Sequence, residues 1–277
     1  MRTHHEHVSS VPHGQGWVVW VVFESLALFL LFIASAGYAL ALYVSRERSP
    51  WPFRRTVLWY AGVVCAGFAL VGPVAEAAHS SFTFHMVGHL LLGMVAPLLL
   101  VLAGPVSLVL RALPVSAARR VSGFLRTPGV RVFTHPVIVG LLNAGGLWLL
   151  YTTDLFHLMH SSVLIYVLVH LHIFLAGYIF TASLVGVDPD PHRASMRTRS
   201  VVLVFFIAAH QILAKWLYAY PPAGIAVRDG EVGAQLMYYG GDVVDVALIV
   251  LLFLGWYRVT RPRGGELVRK GNLAGSG

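Results

Sequence analysis

Arginines in this chain gather after every second apolar run, and that alternation restricts the fold more than any other feature. Seven apolar runs can be read: Trp17–Val44, Arg55–Val71, Phe82–Leu110, Val132–Tyr151, Ser162–Val185, Ser200–Tyr218 and Gly233–Tyr257. Crossing a bilayer as a helix takes about 20 such residues. Arg46, Arg48, Arg54 and Arg55 follow the first run, and Arg111, Arg119, Arg120, Arg126 and Arg131 follow the third. Arg193, Arg197 and Arg199 follow the fifth, and Arg258, Arg261, Arg263, Arg269 and Lys270 the seventh. The other connections carry almost no positive charge, Arg2 and Arg228 being the exceptions. Basic loops stay on the cytoplasmic side. The pattern therefore predicts an all-α integral membrane protein of seven transmembrane helices, with its N-terminus outside and its C-terminus cytoplasmic. The net charge of +8 is then a topology signal and not a footprint for nucleic acid. Charged residues make up 12% of the chain, against about 25% in a soluble domain.

One membrane domain over residues 17–257 is expected, between a histidine-containing outer tail (1–16) and a basic, disordered cytoplasmic tail (258–277). The second run is the shortest, and Asn143 and Gly145-Gly146 interrupt the fourth. The cytoplasmic stretch 111–131 is long enough for a short interfacial helix, and Tyr218–Val232, with Pro221-Pro222, can fold over the outer face. The first run is too long for a signal-peptide core and its basic flank lies after it, so no cleavable leader is expected. Cys65 is the sole cysteine, which excludes a disulfide framework and a Cys-x-x-Cys metal motif.

Histidine is the residue that carries chemistry here. His85 and His89 open the third run four residues apart, one above the other on a helix face, and such spacing suits a shared metal ion. Ionisable groups inside a bilayer are costly and tend to line sites or pathways. Counting 1.5 Å per residue from the outer side, Glu24, His85, His89, His170, His172, His210 and Asp242 all fall in the outer half or near the centre, with His79 just above. His170 and His172 are roughly 200° apart on a helix, so only one of them can face a common site. His210 reads equally as a ligand or as an interhelical hydrogen-bond partner. Met86 and Met94 offer soft thioethers. Asp242 and Glu24 can offset a bound cation, orient a histidine or pair with Lys215, and Asp245 lies almost a turn beyond Asp242. The exposed cluster His4-His5-Glu6-His7, with His13, reads as a weak metal collector or a solvated tail.

The run Phe84-His-Met-Val-Gly-His-Leu-Leu-Leu-Gly-Met-Val-Ala-Pro-Leu-Leu-Leu-Val-Leu-Ala-Gly-Pro-Val-Ser-Leu-Val-Leu-Arg-Ala-Leu-Pro114 closely resembles the signature helix of the CtaG family of cytochrome c oxidase assembly proteins. His135-Pro136, His170-Leu-His172 through Val185-Gly-Val-Asp-Pro-Asp-Pro191, His210, and Asp229 through Gly241-Asp242 are similar to further stretches of that family in order and spacing. The likeness covers about residues 55–258. Two departures stand out: Tyr166 occupies a place where a histidine would be expected, and Lys215 follows His210 where small apolar residues are common. The resemblance implies a multi-pass protein of the bacterial plasma membrane, not an enzyme, that acts as a chaperone delivering copper to cytochrome c oxidase subunits. It implies Cu(I) captured by His79 and then bound by His85, His89 and one of His170 or His210, with His172 the alternative to His170, Met86 a further soft donor, and Asp242 or Glu24 offsetting the charge. Two other readings use the same residues: a b-type heme protein with axial histidines on different helices, and a copper or proton transporter. Against the transporter, the cytoplasmic half of the bilayer offers no ionisable group.

Overall fold

A computed structural model describes residues 13–48 and 50–261, the side chains of 13–17 excepted. The first twelve residues with their histidine cluster, and the basic tail from residue 262, lie outside the described residues. Every regular element described is helical: α1 (His13–Val44), α2 (Phe53–Leu70), α3 (Pro73–Ala78), α4 (Phe82–Leu90), a π-helical turn (Leu91–Val95), α5 (Ala96–Ala103), α6 (Pro105–Ala112), α7 (Val115–Leu125), α8 (Pro128–Phe133), α9 (Pro136–Thr152), α10 (Leu155–Ser161), α11 (Val163–Val185), α12 (Met196–Ala219) and α13 (Val227–Thr260).

Five stretches are long and apolar enough to cross a membrane: Val18–Val44, Phe82–Ala112, Val163–Val185, Met196–Ala219 and Val227–Thr260. A sixth is reached if α9 and α10, bent by 79° at Thr153-Asp154, count as one broken span. The expected fourth run therefore ends in a sharp corner, and it begins at Pro136, whose ring suits the first helical position but cannot continue a preceding helix. The expected second run falls short of the same standard because α2 has only 18 residues and spends two of its first three on Arg54 and Arg55. Helix surfaces elsewhere are apolar outwards as well as inwards. Phe32, Leu141, Phe205 and Val243 are all well exposed, as helices solvated by lipid require.

The span α4–π–α5–α6 is the axis of the molecule. Packed around it are α2, α11 and α13, with α12 against α13 and α9, and α1 along α2 and α6. We call the end where α4 begins the upper end. One apolar core, including Phe82, Met86, Tyr151, Phe156, Leu213 and Met237, surrounds the upper half. A second, including Leu90, Met94, Phe180, Phe206 and Leu248, surrounds the lower.

An aspartate from another segment grips each end of this axis. At the upper end, Asp229 accepts hydrogen bonds from the Phe82 and Thr83 amides (2.7 and 3.1 Å) and from the Ser81 and Thr83 hydroxyls (3.1 and 2.6 Å). At the lower end, the axis breaks at Gly104, which adopts φ +67°, and α6 restarts at Pro105. There Asp188 accepts from the Val106 and Ser107 amides (3.1 and 2.8 Å) and the Ser107 hydroxyl (2.6 Å). Helix N-termini carry unpaired amides and partial positive charge, so a carboxylate satisfies both.

The π turn has a local cause. Pro97 has no N–H to offer the Gly93 carbonyl one turn back, and the Ala96 amide bonds to Leu91 instead. The chain widens by one residue just after His89. On α11, Gly177 lies so close to this turn that an added Cβ would collide with the Gly93 oxygen.

Candidate functional site

With its N-terminus fixed by Asp229, α4 sends its two histidines to different places. His85 Nε2 lies 3.0 Å from the Tyr151 hydroxyl, which also donates to Met86 Sδ at 3.8 Å. Around the His85 ring stand Phe156 and His160, with centroids at 5.2 and 6.0 Å. His160 is 6.4 Å from His79 and bonds through Nδ1 to the Phe156 carbonyl at 2.8 Å. His79 in turn lies over Tyr166 at 5.6 Å and against Trp20 at 4.6 Å. Tyr166 stacks on His170 at 3.9 Å, and His170 Nδ1 bonds the Tyr166 carbonyl at 2.9 Å. That bond leaves Nε2 of His170 as the nitrogen available to a ligand. His79, His85, His160 and His170 thus form a loose upper ring interleaved with tyrosines. Burial and the neighbouring His160 hold the His79 imidazole below its usual pKa, while Glu24 and Glu76 pull the other way.

His89, one turn deeper, faces His210 of α12. Their ring centroids are 6.2 Å apart and their planes differ by 21°. The two side chains are 5% and 2% exposed, and all four ring nitrogens lack a hydrogen-bond partner among the described residues. Leaving a buried polar group unpaired costs about 1–3 kcal/mol, so two such rings side by side are an expensive arrangement. Glycines make room for it: Gly93 lies beside His89, and a Cβ on Gly241 would approach His210 Cε1 to 2.6 Å. The ring separation is about what one ion bonded to a nitrogen of each imidazole at roughly 2 Å would span.

The other expected site residues are distributed around these two groups. Met86 is fully buried beneath Tyr151. Asp242 accepts from Gln211 Nε2 at 2.6 Å, while Lys215 lies over the Tyr238 ring and not beside Asp242. Asp245 is 2% exposed with both oxygens unpaired among the described residues. Glu24 is exposed on α1, within electrostatic reach of His79. His172 points away, its Nε2 3.1 Å from the Leu142 carbonyl and its ring over Gly146, as its two-residue offset from His170 requires. No three His, Cys, Asp or Glu side chains converge on one point among the described residues. The structure adds Tyr151 and His160 to the residues picked out in sequence, and it stacks Tyr166, noted there only as a departure from the family pattern, on His170. Only the corner between α9 and α10 brings His160 inward, and no periodicity announces that corner. Because Tyr151 is the polar partner of His85, a Tyr151→Phe change is expected to cost about 1–2 kcal/mol of stability, read as a lower melting temperature in detergent; an unchanged melt would deny that bond.

The profile of the cytochrome c oxidase caa3 assembly factor family (Caa3_CtaG) matches residues 36–259. The chain is 28% identical over 264 residues to an uncharacterized protein of Mycobacterium leprae, with 87% of this chain and 40% of that one aligned. Uncharacterized proteins of Mycobacterium bovis and Mycobacterium tuberculosis are each 30% identical over 267 residues, covering 86% of this chain and 40% of theirs. The chain therefore spans about 40% of the length of these curated relatives. No solved structure matches it.

Proposed function

Because the chain belongs to the cytochrome c oxidase caa3 assembly factor family, we propose that it is a bacterial plasma-membrane protein that carries Cu(I) to a cytochrome c oxidase. The observation supporting this is the pair His89–His210, two buried imidazoles 6.2 Å apart between ring centroids whose four nitrogens have no hydrogen-bond partner among the described residues. Copper is cargo here and not a resident cofactor. Cu(I) accepts few, soft ligands, so two imidazoles suffice where no third donor converges. The upper ring of His79, His85, His160 and His170, with Met86, is the receiving surface, and Glu24 adds negative charge beside it. Asp245 lies one turn along the buried face of α13 from Gly241, which abuts His210, and Asp242 is bonded to Gln211 beside His210, so both carboxylates are placed to offset charge there. The rings pack tightly against glycine backbone at Gly93 and Gly241, which favours a bare ion over a porphyrin.

The topology belongs to the same proposal. Counting α2 and the bent α9–α10 pair gives seven crossings, with the N-terminus outside and the arginine-rich end in the cytoplasm. As a helix, α2 measures about 27 Å, close to the roughly 30 Å hydrocarbon core, and its arginines can snorkel to the interface.

The test is a Cu(I) competition titration on protein in detergent, with an absorption spectrum taken in parallel. Wild type is expected to bind about one equivalent without a Soret band, and His89→Ala/His210→Ala to lose affinity by at least a hundredfold. Equal affinity in the double variant would sink the assignment, and a Soret band would transfer it to heme.

A further inference from the structure

Lys215 is the one basic residue in the body of α12 or α13; the arginines of these helices all lie in a terminal turn. It makes no ion pair among the described residues. Its ammonium lies 5.3 Å from the centre of the Tyr238 ring on α13, while Asp242 is engaged with Gln211 and Asp229 with the start of α4. A charge on a membrane-crossing helix is costly unless it is paired or reaches the interface. Lys215 lies four residues before Ala219, the end of α12, about 6 Å along the helix axis. The headgroup layer on each face of a bilayer is roughly 5–8 Å deep. With the end of α12 at the water surface, the ammonium sits at the level of lipid phosphate.

The same residue lines a cleft of about 280 Å³ between the two helices. Buried Ala214 and Ala234 leave room for it, and its polar lining is Lys215, Tyr218, Gln235, Tyr238 and Tyr239. Each of these side chains can donate a hydrogen bond and none is an anion. Tyr218 and Tyr239 are exposed, so the cleft is open to the lipid around the protein. Tyrosine suits this level of a membrane because it offers an apolar ring and a polar tip. A positive charge among neutral donors takes an anion rich in acceptor oxygens, and beside a membrane-crossing helix that anion is the phosphate of a phospholipid. No carboxylate lines the cleft to receive the cation of a zwitterionic headgroup, which favours a lipid of net negative charge. We propose that the α12–α13 cleft holds the phosphate of an anionic phospholipid, with Lys215 as its counter-ion and Gln235 and the tyrosines as neutral donors. Bound there, the lipid joins the helix that carries His210 to the helix that carries Gly241. The site depends neither on copper nor on which leaflet the upper end faces.

Native mass spectrometry on delipidated protein, titrated separately with phosphatidylglycerol and phosphatidylcholine, tests this, with Lys215→Gln and Lys215→Arg beside wild type. Arginines at the lower end also attract anionic lipid, but they are the same in all three proteins, so the difference between the titrations reads this cleft. One cation near an anionic surface contributes about fivefold in binding. One phosphatidylglycerol per protein is expected to weaken by about that factor in Lys215→Gln and to recover in Lys215→Arg, with phosphatidylcholine binding unchanged. Identical phosphatidylglycerol titrations for wild type and Lys215→Gln would overturn the proposal. An equal loss of both lipids would do so too, since it marks a site read by shape and not by charge. Inorganic phosphate alone is the last arm, and it is expected to leave the melting temperature of lipid-free protein where it was. A rise in wild type that Lys215→Gln lacks would give the cleft to a free anion and remove the lipid.

Discussion

Replacing Gly177 by valine is expected to leave almost no folded protein in the membrane. A side chain at that position meets the Gly93 carbonyl and the Pro97 ring, and neither can yield. Gly93 lies in the π turn, whose spacing Pro97 dictates, and moving it would disturb His89, four residues upstream. Overpacking a well-filled core usually costs about 1–3 kcal/mol, and more when the obstacle is backbone. Against a total stability of about 5–15 kcal/mol, that is a large share. Even Gly177→Ala should lower the melting temperature by several degrees. Gly255→Ala on α13 is the control, because nothing lies within 4 Å of a Cβ there; helix propensity should make it neutral or stabilising by up to about 1 kcal/mol. Detergent-extracted yield and thermal melting separate the outcomes. Valine at wild-type yield would mean that α11 and the π turn do not approach as closely as described.

Asp229→Ala is expected to be the second most damaging single change. It removes the acceptor for two amides and two hydroxyls at the start of α4, at a cost of about 3 kcal/mol if the charge-assisted bonds and the cap both count. Ser81 can still cap the Phe84 amide, so the helix should fray and not vanish. Asp188→Ala at the other end loses three bonds of the same kind and should behave alike. The decisive measurement is hydrogen exchange at Phe82–His85, where protection should fall in Asp229→Ala and stay unchanged in Asp188→Ala. Equal protection in both variants would remove the clamp as an explanation.

The sequence made the helical membrane architecture legible because each apolar run is long and the arginines mark its ends. Residues Val163–Val185 of α11 agree with the expected fifth run almost to the residue. Where arginine intruded on the run itself, at Arg54 and Arg55, length and hydropathy gave only a marginal α2. The pair His85/His89 was legible as a feature but not as a geometry. Their four-residue spacing suggests one shared ligand, yet His85 turns to Tyr151 while His89 turns to His210. Which partner each finds is set by α9 and α12, from parts of the chain more than 60 residues away. Pro97 was visible, but its effect depends on Gly177 admitting a widened turn. The outward aim of His172 was fixed by spacing alone.

The order in which the parts of this site are made has its own consequence. Chains emerge from the ribosome N-terminus first and fold domain by domain as they do. His85 and His89 enter the membrane early. The carboxylate that locks their helix, Asp229, and the glycine that admits His210, Gly241, both arrive much later, with α13. A chain halted before Val227 therefore holds the histidines without the grip that aligns them, so the arrangement is complete only once α13 has been made.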